Sequence, residues 1–210
     1  MTLALDKTPS PNQNKSQPET KISLGEYFER EIASEIKNEY INGEIAAMAG
    51  ATPTHNQIIG NLFVLLHLAL CDLPYIPFVA DLRLWIPEAA IVTYPDIMIV
   101  AEPITLMEGR KDTIENPVLI AEVLSESTEA YDRGAKFAAY RTIPTFQEYL
   151  LISQDQAYVE HFSKEANQES DRWIFTTYSL GATINLTNLG AEVKISDIYH
   201  RVLEAEKSQM

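Results

Sequence analysis

Apolar residues that recur three and four positions apart predict two helices near the start of the chain. The longer helix is predicted over residues 54–72, and its apolar face consists of Ile58, Ile59, Leu62, Leu65, Leu66 and Ala69. The shorter helix is predicted to begin at Ser23, because Ser-Leu-Gly-Glu has the spacing of a capping box. Its apolar stripe consists of Tyr27, Phe28, Ile32 and Ile36.

Other segments have the pattern of strands. Asn42-Gly43 separates two short apolar segments, which predicts a hairpin because both turn positions require positive φ. Residues 78–86 alternate between apolar and polar side chains, as in a half-buried strand. Residues 97–101 and 118–124 are nearly all apolar, which is typical of central strands covered on both faces.

The second half of the chain predicts a β-α-β unit followed by further strands. A helix over residues 128–142 separates the strand 118–124 from a strand at 148–153, and this order favours a parallel crossover. The remaining predicted elements are short strands at 157–162, 173–178 and 183–186 and a closing helix at 196–206. The predicted fold class is therefore α/β, a central mixed sheet flanked by helices, with additional C-terminal strands.

Composition sets the domain organisation and the expected location. Residues 1–20 hold too few large apolar side chains to offset the entropy lost on ordering, so a disordered tail is predicted there and one domain over 21–210. The single Cys71 excludes an intramolecular disulfide, which favours the cytoplasm. The most apolar stretch, residues 62–71, is shorter than a bilayer span of about 20 residues, so no membrane association is expected.

The net charge of −14 changes the expected mode of nucleic-acid binding. Most non-specific affinity for nucleic acid comes from neutralising phosphates, and this chain supplies no global attraction for them. A nucleic-acid-binding protein of this charge therefore needs a local basic cleft, or a metal ion that offsets its own carboxylates. Rossmann and P-loop nucleotide sites are not expected, because no glycine-rich loop follows a strand.

Two carboxylates stand in strongly apolar strands. Asp96 follows Pro95 at the mouth of the strand 97–101, and Glu122 interrupts the apolar strand 118–124. A charge in such a strand is costly unless it is paired or binds a metal, and an ion pair is the commoner explanation for either one alone. Two of them on neighbouring strands point more strongly to a site, because Mg²⁺ is commonly bound by one or two carboxylates and a substrate phosphate.

The helix after the second strand presents a third set of polar side chains. Asp132, Lys136 and Tyr140 lie four residues apart and so share one helical face. By itself, an Asp132–Lys136 pair is most simply a solvated surface pair, worth roughly a few tenths of a kcal/mol. Its position after Glu122 is what makes Lys136 a candidate.

Three motifs occur in a specific order: Tyr-Pro-Asp-Ile-Met-Ile-Val at 94–100, Ala-Glu-Val-Leu-Ser-Glu-Ser-Thr at 121–128, and Tyr-Asp-Arg-Gly-Ala-Lys-Phe-Ala-Ala-Tyr at 131–140. Together they resemble the PD-(D/E)XK nuclease superfamily and, more narrowly, the Uma-type restriction endonucleases, over roughly residues 23–200. The resemblance implies a restriction-endonuclease-like core and an Mg²⁺-dependent endonuclease, with Mn²⁺ as an alternative metal and DNA as substrate. It implies Asp96, Glu122 and Lys136 as the catalytic residues.

The lysine departs from the superfamily pattern. The usual lysine lies two residues beyond the glutamate, where this chain has Leu124, and Lys136 instead matches a lysine that the Uma-type group takes from the following helix. Glu44 matches an early glutamate of the group and is implied as a third metal ligand, the alternative being an exposed hairpin charge. His55 and Tyr140 are implied as accessory residues, with a structural role as the alternative for each.

Two other functions stay open. The acidic balance and the missing strand lysine favour a catalytically inactive module that keeps the nuclease fold and binds protein or nucleic acid. A hydrolase triad of His55, Asp96 and Ser125 is disfavoured, because Ser125 does not lie in a Gly-x-Ser-x-Gly motif. For the nuclease, a homodimer is expected, since two sites related by symmetry cut both strands of a duplex more easily than one.

Overall fold

A computed structural model describes residues 21–48, 50–165 and 171–202. The tail predicted at residues 1–20 and the end of the closing helix predicted at 196–206 lie outside the described residues. Within the described ranges, no helix is both long enough and apolar enough to span a membrane.

The two predicted N-terminal helices are present as α1, Leu24–Ala33, and α2, Pro53–Leu70. The capping box is confirmed, because Ser23 Oγ accepts from the Glu26 amide while the Glu26 carboxylate accepts from the Ser23 amide. The predicted stripe is wrong at its end: Ile32 is 72% exposed, and Ile36 lies beyond the helix and is 60% exposed. Glu31 is buried instead, because its carboxylate accepts hydrogen bonds from Asn38 and from the Tyr94 hydroxyl.

The hairpin predicted at Asn42-Gly43 is confirmed, with φ of 49° and 95° at the two turn residues. Its strands open a five-stranded sheet whose order is β2-β1-β5-β4-β7. The members are β1, Asn38–Ile41, β2, Glu44–Ala47, β4, Arg83–Ile86, β5, Ile91–Thr93, and β7, Thr113–Ile114.

The larger sheet has six strands in the order β11-β10-β9-β8-β6-β3. Its strands β8 and β9 are parallel, which confirms the predicted crossover, and all its other pairs are antiparallel. The members are β3, Tyr75–Val79, β6, Ile97–Ala101, β8, Pro117–Leu124, β9, Glu148–Ser153, β10, Tyr158–Lys164, and β11, Trp173–Ser179.

The continuous strand predicted over residues 78–86 is wrong. The chain forms β3 and β4 there, and these belong to different sheets. Between them Ala80 has a φ of 60°, a left-handed conformation that turns the chain out of the larger sheet. Local alternation continues through the break, so the hydrophobic pattern alone did not reveal it.

The helix predicted over residues 128–142 is present in three consecutive parts. These are α3, Glu129–Tyr131, a π turn, Asp132–Lys136, and α4, Phe137–Tyr140. After the larger sheet, β12, Thr183–Leu186, pairs with an unpredicted strand β13, Ala191–Lys194. The closing helix predicted at 196–206 is too long, because α5 covers only Ile195–Ile198 and residues 199–202 form turns.

The larger sheet separates two hydrophobic cores because its side chains alternate between its faces. Ile97, Ala121 and Val123 pack on the side of α2, whereas Ile120 and Leu124 pack on the side of Tyr140 and the smaller sheet. By the same alternation, Glu122 belongs to the second face. The carboxylate therefore lies where the larger sheet meets the helical segment and the smaller sheet.

Candidate active site

Strand pairing brings Asp96 and Glu122 together. Strand β6 pairs with β8 so that Ile97 lies opposite Ala121, and one further step along the register places Asp96 opposite Glu122. Each carboxylate accepts a backbone hydrogen bond from the other strand: the Asp96 amide donates to Glu122 Oε2 (3.2 Å), and the Val123 amide donates to Asp96 Oδ2 (2.8 Å). Glu122 is buried, whereas the Asp96 side chain is 21% exposed.

The helical segment adds Lys136 and Tyr140 to this pair. Lys136 Nζ lies 2.9 Å from Glu122 Oε1, and the Tyr140 hydroxyl donates to the same oxygen at 2.7 Å. Leu124, at the usual position of the strand lysine, packs in the second core. The ammonium thus reaches Glu122 from the helix, and the strand position carries an apolar side chain.

Lys136 contacts three carboxylates. Besides Glu122, its Nζ lies 3.3 Å from Asp132 Oδ1 and 3.7 Å from Glu39 Oε1. Both Asp132 and Lys136 are buried, so the interpretation of these two as a solvated surface pair is wrong. The Tyr149 hydroxyl donates to the backbone carbonyl of Asp132 and anchors the π turn on the sheet.

Charge is unbalanced in this group. Asp96, Glu122, Asp132 and Glu39 bring four carboxylates, against the Lys136 ammonium and the His55 imidazole. Burial lowers the pKa of Lys136, but the three carboxylates raise it more, so the ammonium stays protonated. Burial raises the pKa of Glu122, the ammonium lowers it, and Asp96 and Asp132 raise it, with a net shift upward. The surplus of negative charge suits a bound cation.

His55 lies at the start of α2 and contacts Asp96. Its amide donates to the capping hydroxyl of Thr52, and its Nε2 lies 3.3 Å from Asp96 Oδ2. Burial lowers the pKa of His55, while the hydrogen bond to Asp96 and the Asp96 charge raise it, and the net shift is upward. Its Nδ1 is buried and has no hydrogen-bond partner among the described residues.

Two candidates of the sequence analysis lie apart from this group. Glu44 is exposed on β2, opposite Ile41, and within the described chain no hydrogen bond or ion pair joins it to Asp96 or Glu122. The Ser125 hydroxyl contacts those of Ser127 and Thr128, while His55 contacts Asp96, so the described contacts do not connect a triad.

Sequence reasoning missed Glu39 and Tyr131. Glu39 lies on β1, where it accepts a hydrogen bond from the Thr93 hydroxyl and approaches Lys136. The Tyr131 ring lies near Lys136, and its hydroxyl is buried. Tyr131 is the first residue of the third motif, and this position was the signal that could have identified it. Thr93, which contacts Glu39, immediately precedes the first motif. Nothing local marks Glu39, because its contact depends on how the two sheets meet.

The donor set fits a hard divalent cation that binds through few protein ligands. Among residues 21–48, 50–165 and 171–202, no group of three or more His, Cys, Asp or Glu side chains is arranged to hold a metal. Asp96 and Glu122 supply two carboxylates, and Mg²⁺ commonly uses one or two together with water and substrate phosphates. The surplus negative charge around them favours the same kind of ion.

Comparison with known proteins gives consistent family and fold relationships. The family model described as "Uma2: Putative restriction endonuclease" matches residues 24–196. Two proteins of Synechocystis sp. (strain ATCC 27184 / PCC 6803 / Kazusa) are similar: "Uncharacterized protein sll1609" is 44% identical over 155 residues, covering 74% of this chain and 86% of that protein. "Uncharacterized protein slr1290" is 34% identical over 190 residues, covering 88% and 94%.

A solved structure shares the fold. It is described as that of "a putative nuclease belonging to DUF820" from Anabaena variabilis ATCC 29413, and it superposes with a TM-score of 0.64 at 16% identity. The match covers 79% of this chain and 91% of that chain. At this identity the likeness concerns the fold alone, and it confirms the predicted class of mixed sheet flanked by helices.

Proposed function

This chain belongs to the Uma2 family, as its three motifs predicted, and on that premise we propose that it is a metal-dependent endonuclease that hydrolyses phosphodiester bonds in DNA. One observation carries the proposal. Glu122 accepts a hydrogen bond from the Asp96 amide through one oxygen and lies 2.9 Å from Lys136 Nζ through the other. Two carboxylates and an ammonium, drawn from two strands and a helix, thus form one connected group.

Asp96 and Glu122 are the proposed ligands of Mg²⁺, with Mn²⁺ as an alternative. When bound, the ion supplies positive charge that polarises a phosphate and lowers the pKa of a water ligand. The Val123 amide and the Tyr140 hydroxyl each fix one carboxylate oxygen of this pair. Within the described chain Glu44 forms no hydrogen bond or ion pair with Asp96 or Glu122, so we propose a set of two protein carboxylates.

Lys136 acts as a fixed positive charge in this proposal. Its three carboxylate neighbours hold the proton on Nζ, which disfavours Lys136 as the base that takes a proton from water. A protonated ammonium stabilises the negative charge that develops on the phosphate oxygens in the transition state. His55 is a positioning residue, because its Nε2 contacts the Asp96 oxygen that also accepts from the Val123 amide.

A plasmid-nicking assay with Mg²⁺ or Mn²⁺ tests the proposal. We expect wild type to nick supercoiled DNA, and Asp96→Asn and Glu122→Gln to lose at least about 100-fold in rate, because each removes a charged metal ligand of nearly the same shape. Glu192→Gln is the matched control, since it removes one negative charge from an exposed strand position. Undiminished nicking by both site variants contradicts the assignment. An RNA of the same sequence, tested in parallel, establishes the nucleic-acid class.

Calorimetry separates the nuclease from the inactive module. A metal-dependent enzyme should bind Mn²⁺ with a measurable heat change. The affinity should be lower in Asp96→Asn, because that variant loses one of two charged ligands. If wild type shows neither Mn²⁺ binding nor cleavage, the proposed function is wrong and the catalytically inactive module is the better explanation.

A further inference from the structure

Tyr131 carries a buried hydroxyl that no described residue hydrogen-bonds. It is the last residue of α3, its side chain is half-buried, and its oxygen is shielded from solvent. Buried hydroxyls are nearly always hydrogen-bonded, since an unpaired one costs about 1–3 kcal/mol. An unpaired hydroxyl at this position therefore requires an explanation, and the residues around Tyr131 suggest one.

The π turn brings Tyr131 to the candidate active site. In an α-helix, residues five apart lie about 140° away from each other around the axis, so Tyr131 and Lys136 would face different directions. The π turn Asp132–Lys136 has hydrogen bonds between residues five apart, which aligns them. Lys136 Nζ lies 6.0 Å from the centroid of the Tyr131 ring. Single π turns of this kind occur frequently at functional sites.

The ammonium of Lys136 already has acceptors for its N–H groups, whereas the hydroxyl of Tyr131 has none among the described residues. Three carboxylates surround the ammonium, while the phenol has no partner in the described chain. Among the described side chains, His55 Nδ1 is the other unpaired buried atom at this site, and it belongs to a ring whose Nε2 contacts Asp96. Tyr131 therefore offers a neutral donor beside Lys136, which in turn contacts Glu122, and a hydroxyl is a kind of group that recognises a phosphate oxygen.

We propose that Tyr131 binds the substrate: its hydroxyl becomes accessible when the substrate enters the site and donates a hydrogen bond to a non-bridging oxygen of the scissile phosphate. The inference rests on the proposed nuclease function and deepens it. A neutral donor at this point holds the phosphate against the acidic site without adding a further ion pair. The π turn then has a specific purpose, because it brings the Tyr131 ring and the Lys136 ammonium together.

The test compares Tyr131→Phe with Tyr199→Phe. The second variant is a matched control, because the Tyr199 hydroxyl is satisfied by the carbonyls of Ser153 (2.6 Å) and Tyr158 (2.9 Å), away from the proposed catalytic group. We expect Tyr131→Phe to leave the melting temperature unchanged or raised, since it removes an unpaired hydroxyl, and Tyr199→Phe to lower it by a few degrees.

For catalytic activity we expect the reverse: Tyr131→Phe should have the larger effect and Tyr199→Phe the smaller. With a fluorescein-labelled duplex containing a mapped cleavage position, Tyr131→Phe should lower the single-turnover rate about 10- to 100-fold, as expected for loss of a hydrogen bond to a charged group. Fluorescence anisotropy with Ca²⁺ in place of Mg²⁺ should show weaker binding of the same duplex. Tyr199→Phe should stay within about twofold of wild type in both measurements, after correction for the folded fraction.

The outcomes separate the two claims. If wild type cleaves and binds, and Tyr131→Phe does both equally well, the role of Tyr131 is overturned while the nuclease function stands. If Tyr131→Phe loses cleavage together with stability, the hydroxyl has a structural role and the inference is again overturned. If wild type neither cleaves nor binds nucleic acid, the proposed function fails and this inference fails with it.

Discussion

Two buried charged groups on the larger sheet differ in how completely they are balanced. On β9 and β10, Glu148 and His161 hydrogen-bond each other, and the second Glu148 oxygen accepts from the Asn188 amide. On β8, Glu122 belongs to a group of four carboxylates, three of which contact the Lys136 ammonium. Glu148 and His161 are buried, and so are Glu122, Asp132 and Lys136 of the second group. The first is satisfied within the protein, whereas the second keeps a surplus of negative charge and two unpaired polar atoms nearby.

The difference separates a structural pair from a site. A buried carboxylate with a matched partner and no leftover charge contributes to the fold and needs no ligand. A buried carboxylate in negative surplus lowers stability in the absence of a cation, and such a group persists when binding or catalysis requires it. The comparison predicts that the two groups respond in opposite ways to substitution and to divalent metal.

Removing the one ammonium should have the largest effect. Lys136→Met leaves Glu122, Asp132 and Glu39 without their shared cation, so we expect a loss of about 4–5 kcal/mol in the free energy of unfolding without metal. Mn²⁺ should restore part of this stability, because it replaces the missing positive charge. Thermal unfolding with and without Mn²⁺ measures both effects.

The control for Lys136→Met is Lys164→Met. Lys164 forms an exposed pair with Asp171, so its loss should cost about 0–1 kcal/mol and should not respond to Mn²⁺. If the Lys136→Met protein is as stable as Lys164→Met, or gains nothing from Mn²⁺, the surplus charge around Lys136 is not the property that distinguishes this region.

Breaking the Glu148–His161 pair should lower the free energy of unfolding by less, and the loss should not depend on divalent metal. His161→Phe leaves Glu148 buried with only the Asn188 amide as partner, for an expected loss of about 3 kcal/mol. Because this pair takes no part in the proposed reaction, nicking per folded molecule should equal that of wild type. A recovery of the His161→Phe melting temperature on adding Mn²⁺ would show that Glu148 binds metal too, and the comparison would fail.

Replacing each of the two glutamates by glutamine should change the free energy of unfolding with opposite signs. Burial and the neighbouring carboxylates raise the pKa of Glu122, so its ionised form opposes folding at neutral pH. Glu122→Gln should therefore stabilise the metal-free protein by about 1–2 kcal/mol while abolishing cleavage. Glu148→Gln should instead lower stability by about 1 kcal/mol and leave cleavage intact. Chemical denaturation in EDTA distinguishes the two, and a shift of the same sign in both contradicts the contrast.

Part of this site could be predicted from the sequence, because some of its residues stand out against their immediate neighbours in the chain. Asp96 and Glu122 interrupt apolar strands, a costly arrangement that is visible in the sequence itself and that coincides with a motif. Lys136 lies four residues from Asp132 and from Tyr140, so the helical face was also predictable, although its burial was not. The fold class followed from the β-α-β order and the apolar strands.

The rest depends on long-range packing or on backbone conformation. Glu39 approaches Lys136 because the smaller sheet meets the helical segment, and no pattern in residues 38–41 reports that contact. The polar positions of the segment 128–142 have the spacing of an ordinary helix, so nothing in the sequence indicates the π turn that aligns Tyr131 with Lys136. The break at Ala80 is hidden for a similar reason, because alternation continues on both sides of it.

The smallest predicted effect extends the comparison to the protein surface. Most described cations resemble His161 in being matched by a carboxylate, so they have little charge left for phosphates. The cations that form such pairs are Arg30, Lys37, Arg83, Arg110, Arg133, Lys136, Lys164 and Arg172. Because each neutralised phosphate contributes about −0.9 to the slope of log K against log salt, we expect a slope of about −2 or shallower for DNA binding.

Freeing one cation beside the site should steepen that slope. Arg133 lies in the π turn and pairs with Glu160 and, at the longer distance of 3.9 Å, with Glu129. Glu160→Gln removes its main partner next to Asp132 and should add up to about −1 to the slope. Arg172, paired with Glu165 at the start of β11, provides the control, and Glu165→Gln should leave the slope unchanged. Anisotropy titrations of one duplex between about 50 and 200 mM salt give all three slopes. A steep wild-type slope, or equal changes in both variants, would mean that phosphates contact cations outside these pairs and that DNA does not approach along the π turn.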